Sequence, residues 1–299
     1  MSVPTVRTWL ANSLRDKVVG EGAEDKARAI WLASGERWFR ETDAIWRVHD
    51  DASMFVGGIR ALLLQSLHPL AMAGVAGHSG YRSDPWGRLQ RTSAFLARTT
   101  FGTAEDAEEA VAQVRSIHDR VRGRAADGRP YAAADPHLLG WVHAAEADSF
   151  LASYRRYGAS ELTAAQEDEY VAQSASVAER LGAVDPPRSV AELEATLAAY
   201  RPELEGTPAA HDAARFLLLH PPLTWAERPG YACLAAGAVA LLPLWAKEML
   251  RLPALPVTER ALTLPVGDAA VRAIRWALTD PRHPREDLRK EWRRLNPVP

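Results

Sequence analysis

The segment SIHDRVRG (116–123) places His118 at a position where an imidazole could do chemistry. Ala107, Val111, Val114, His118 and Val121 follow one another at spacings of 4, 3, 4 and 3, a single inward stripe on a helix. A buried imidazole is costly unless its nitrogens find partners. Four readings fit: a hydrogen-bonded core histidine, a metal ligand, a catalytic base, or a residue that faces water after all. In the preceding segment, DPWGRLQRTSAFLARTTFG, the same arithmetic puts Arg88, Thr92, Phe95 and Thr99 on one face, with Arg91 a turn beyond Arg88. Two arginines and a threonine beside an aromatic suit a pocket for a carboxylate or an oxygen-derived anion, because guanidinium stays charged and offers several donors. The bland reading is a solvated helix face.

Those residues need helices to hold them, and helix punctuation recurs along the chain. Asp84-Pro85 and Asp135-Pro136 offer an N-cap followed by proline at the first helical position. TAED at 103–106, TAAQE at 163–167, SVAE at 189–192 and TPAA at 207–210 are further starts. Gly102, Gly123 and Gly158 read as stops. No run of alternating β-branched residues appears, and Asp127-Gly128 falls in a polar connection. The chain reads as one all-α domain over 1–299, roughly ten to thirteen helices packed in the style of globins. ACLAAGAVALLPLWA (232–246) reads as a buried helix, too short to span a bilayer. The basic tail at 280–299 reads as a solvated closing helix.

Composition narrows the function. Thirty-six basic against 38 acidic residues give a formal charge of −2, which argues against general nucleic-acid binding. The single cysteine, Cys233, excludes CxxC zinc sites and covalent CxxCH haem, and its alanine-rich surroundings suit packing better than thiolate ligation. P-loop, GxGxxG, HExxH, Glu-x-x-His and GxSxG motifs are all missing. His143 and Glu146 give the reverse order, HAAE, once, and read as a helix surface pair. The N-terminal segment MSVPTVRTWLANSLRDK does not resemble an export signal, so the expected compartment is the cytoplasm.

The pieces QSLHP (65–69), HSGYRSDPWGRLQRT, FGT, HDRVRG, YAAADP and WVHA (141–144) occur in an order and spacing that resemble the catalytic domain shared by rubber oxygenases and fungal endoplasmic-reticulum oxygenases. The resemblance covers roughly residues 40–245. It implies a non-covalent b-type haem among helices, with His118 of HxxVxG as the iron's proximal ligand. It implies Arg88, Arg91 and Thr92 as the distal R-x-x-K-T set. Arg88 and Thr92 would then contact the cofactor region, and Arg88 and Arg91 would be the catalytic donors. His68, His78 and His143 fall in similar motifs and are expected to hydrogen-bond structurally or line the pocket. Tyr131, Asp135 and Trp141 read as cap and core.

The sequence departs from that family in two residues. Arg91 replaces a lysine that can reach iron, and no distal glutamate is evident between His68 and Trp86. Arginine keeps its proton and is a poor iron ligand. The implied function is oxygenase chemistry with dioxygen on a small apolar substrate met inside the cell, rather than on polyisoprene. The rival is a helical binding or structural protein that keeps the fold without haem. The oligomeric state is open.

Overall fold

Polar caps open helices where the sequence places them. The Asp84 carboxylate accepts from the Gly87 amide, Asp135 from His137, Thr103 from Asp106, Ser189 from Glu192 and Thr207 from Ala210. Thr163 and Gln166 complete a reciprocal capping box. In the computed structural model, which describes residues 6–78, 82–279 and 284–295, these starts belong to an all-α architecture.

In chain order the helices are α1 (Val6–Val18), α2 (Ala23–Leu32), α3 (Ala44–His49), α4 (Met54–Gln65), α5 (Pro69–His78), α6 (Pro85–Phe101), α7 (Ala104–His118) and α8 (Pro136–Tyr157). Then follow α9 (Ala164–Leu181), α10 (Val190–Tyr200), α11 (Pro208–Leu219), α12 (Arg228–Ala240), α13 (Leu244–Met249), the single turn α14 (Pro256–Thr258), α15 (Leu264–Leu278) and α16 (Pro284–Leu295). Helices are thus slightly more numerous than expected, because loops break runs that read as continuous. The apolar run 232–246 is one such case: α12 ends at Ala240 and Pro243 caps α13.

Strands were not expected, yet β1 (Arg122–Arg124) and β2 (Pro130–Ala132) form an antiparallel hairpin. Its turn uses Gly128 at φ 86°, a backbone conformation that glycine adopts without strain. Gly123 therefore lies in a strand, and α7 has already ended at His118.

α8 is buried nearly all round and organises the core. Trp141, Ala145 and Tyr157 face a cluster with Val56, Leu63, Leu64, Ala235 and Val271. Ala144, Phe150, Leu151 and Tyr154 face a second cluster with Trp31, Trp46, Phe101, Tyr170 and Trp292. A helix apolar on every side is a central one. The closing helix is not merely solvated: Leu288 and Trp292 are buried. No single helix among the described residues is long and apolar enough to cross a membrane; α4 and α5 meet that test only together, bent by 108°.

Candidate functional site

α6 and α7 pack against each other as a helical hairpin, and Arg98 fastens them. Its guanidinium donates to Asp106 Oδ1 at 2.6 Å, to Glu109 Oε2 at 2.6 Å and to Gln113 Oε1 at 3.1 Å. His118 is the last residue of α7, and the Val121 amide closes the turn onto its carbonyl at 3.1 Å. The chain then enters β1, where a Cβ at Gly123 would lie 2.7 Å from the Tyr131 hydroxyl. That close approach is why HxxVxG needs its glycine. The Tyr131 hydroxyl also reaches His78 Nδ1 at 3.3 Å, tying the hairpin to the end of α5. Residues 79–81 of the HSGYR motif lie outside the described residues.

His118 is half-buried, and its Nδ1 is enclosed without a hydrogen-bond partner. Desolvation lowers its pKa against the opposing charge of Asp119, so the imidazole is neutral near pH 7. The inward stripe therefore holds at Ala107 and Val111, which are buried, and weakens to half-burial at Val114 and His118. On α6 burial rises toward the C-terminus. Arg88 is half-buried, Phe95 half-buried and Thr99 buried. Thr92 is exposed, and the exposed Arg91 lies 3.2 Å from Asp84 Oδ2. An open cleft of about 410 Å³, lined by residues including His211, Asp212, Arg215 and Arg251, includes none of Arg88, Arg91, Thr92 and His118.

The fold encloses ionisable groups that sequence reasoning set aside. Burial pushes the Glu146 carboxyl up to about 7 and holds His143 down to about 4. Both side chains are half-buried, so the HAAE pair that read as a surface pair is partly covered by the neighbours of α8. His49 is held down to about 3 by burial, with Nδ1 2.8 Å from Thr100 Oγ1. Glu146's charge also helps raise the Tyr170 hydroxyl on α9, after burial as the main cause. The i, i+3 spacing of His143 and Glu146 was the available signal.

A second grouping brings together residues far apart in sequence. His68 is 2% exposed, and neither ring nitrogen makes a hydrogen bond. Its Nε2 lies 3.5 Å from Glu203 Oε2, and His137 Nε2 lies 2.9 Å from the same oxygen. His68, expected to hydrogen-bond structurally or to line the pocket, is thus buried with its Nε2 beside the Glu203 carboxylate. His137 and Glu203 carried no motif.

No curated protein and no solved structure matches this chain. A family model does, that of the ER-bound oxygenase mpaB/B′/rubber oxygenase catalytic domain, over residues 46–276. The match runs past the 40–245 expected from the motifs and takes in most of α15. Because it covers well over half of the 299 residues, the chain belongs to the ER-bound oxygenase mpaB/B′ and rubber oxygenase catalytic-domain family.

Proposed function

We propose that this protein is a haem b-dependent oxygenase that acts on a small apolar molecule, with His118 as the residue that would hold the iron. The carrying observation is His118 itself: a neutral, half-buried imidazole with an enclosed, unpartnered Nδ1, at the end of a helix clamped by Arg98. A neutral imidazole offers one nitrogen's lone pair to a metal and donates from the other, so the donor chemistry fits haem iron. Bound haem would supply dioxygen activation. The chain's own part is to keep His118 neutral, to anchor it, and to present charge from α6.

Arg88, half-buried on α6, would receive a carbonyl or carboxylate on an otherwise apolar substrate. Arg91 and Thr92 would join it once Arg91 releases Asp84. Their exposure is the observation that favours a second reading, a helical protein that has kept the fold without the cofactor. The cytoplasm is the compartment we propose, with dioxygen and a fatty-acid- or terpenoid-like molecule as partners.

Purified protein incubated with haemin should gain a Soret band, lose it in His118→Ala, and release the pigment to acid-acetone, as non-covalent haem does. A wild-type chain that stays colourless would establish the second reading. With haem bound, fatty acids or terpenoids should shift the Soret band, and the shift should weaken in Arg88→Ala. Cleavage of latex to carbonyl-ended oligoisoprenoids, with no response to the small molecules, would overturn the substrate assignment.

A further inference from the structure

We propose that His68, His137 and Glu203 form a binding site for a divalent transition-metal ion of the zinc class, separate from the haem reading of His118. One donor atom from each lies within 4.8 Å of the other two. The three arrive on different segments, each held independently. His68 sits between α4 and α5, with the Leu67 carbonyl accepting from the Glu205 amide at 2.8 Å. That bond fixes the turn carrying Glu203 (the 3-10 segment Arg201–Glu203) against the His68 segment. His137 is in the first turn of α8, its amide on Asp135 Oδ1 at 2.9 Å and its carbonyl accepting from the Tyr200 hydroxyl at 2.7 Å.

The His137–Glu203 contact alone would be an ordinary surface pair, worth little. It leaves His68 unexplained. An imidazole 2% exposed, with both nitrogens unpartnered and Nε2 turned to the same carboxylate, has an unmet demand that a cation between the three groups satisfies. Two imidazoles and a carboxylate are a zinc donor set, whereas magnesium and calcium prefer all-oxygen shells. Three protein ligands leave a fourth position for water. His137 and Glu203 are exposed, so the ion enters from solvent. The opposing charge is Arg129, which also pairs with Asp127 at 2.6 Å.

The test uses full-length protein stripped with chelator and titrated with zinc chloride, read by calorimetry, metal analysis and thermal melting. We expect one zinc per chain, a raised Tm, and a loss of affinity of more than about tenfold in both His137→Ala and Glu203→Gln, since even outer partners of a metal cost that much. Both positions are exposed, so the variants should fold; His68→Asn should behave likewise where it folds. Absence of zinc uptake by the wild type, or uptake unchanged in the two exposed variants, overturns the site. Haemin uptake on the same samples reports on His118 independently, so either reading can fail alone.

Discussion

His49, His143 and Glu146 are half-buried ionisable groups, and they make stability depend on pH in opposite senses. Folded His49 and His143 take up a proton only near about 3 and about 4, against an ordinary 6.5 when unfolded. Between 4 and 6.5 the unfolded chain therefore binds more protons, and stability is lost as pH falls through that window. Glu146, raised from 4.5 to about 7, is protonated in the folded chain where the unfolded chain is ionised. Its contribution is lost as pH rises through 4.5 to 7. Two histidines against one carboxyl leave a net difference of one proton over their shared window, a loss on acidification on the order of 1 kcal/mol per pH unit. His68 and His118, also lowered by burial, act in the same direction. Urea midpoints should therefore fall from pH 6.5 to pH 5. Glu146→Gln should steepen that fall, and a midpoint flat across this range would contradict the argument.

At the scale of elements, the contact between α4 and α8 sets the frame for the His68–His137–Glu203 group, since His68 follows α4 and His137 begins α8. Gly57 permits the approach: a Cβ there would lie 2.6 Å from Phe150 Cδ1 and 3.3 Å from the Ser149 carbonyl. Arg60, 3% exposed, then bridges α4, α8 and the end of α12. It donates to Ser149 Oγ at 2.8 Å and the Leu241 carbonyl at 3.0 Å, and pairs with Asp148 Oδ2 at 2.7 Å. Arg60→Met keeps the volume but strands the Asp148 carboxylate and two acceptors. We expect a loss of about 3 kcal/mol, at the low end for a broken buried pair because Asp148 retains some exposure. Chemical denaturation should find it, and Asp148→Asn in the same background should return part of it.

Across the whole molecule, the C-terminal helix closes the second core cluster. α16 packs against α2, and Trp292 meets Trp46 at 5.4 Å and Trp31 edge-on at 6.0 Å between ring centroids. The Arg37 guanidinium lies 5.9 Å from the Trp292 ring and also caps the ends of α2 and α6 through the Trp31 and Phe101 carbonyls. Trp292→Ala should cost about 3–5 kcal/mol and lower Tm cooperatively, as loss of a buried indole does. A change under about 1 kcal/mol would mean that the tail is dispensable to the core.

Local chemistry made much of this architecture legible in the sequence. Asp84, Thr103, Asp135, Thr163, Ser189 and Thr207 cap helices because a side-chain oxygen and a free amide lie within a few residues. The apolar period found α7 and the inward start of its stripe for the same reason, and the ordered motifs from QSLHP to WVHA identified the family. The hairpin at 122–132 was not legible, because its strands are short and the glycine that permits it answers to Tyr131 across the ladder. Nor was the burial of Leu288 and Trp292, since a helix reads as solvated until a partner such as α2 is there to cover it. The sequence nominated Arg88, Arg91, Thr92 and His118 by period and resemblance. The degree to which each is covered, the enclosure of Glu146, and the meeting of His68 with His137 and Glu203 are set by packing between segments distant in sequence. Burial and long-range contact belong to the folded chain as a whole, and only the tertiary structure decides them.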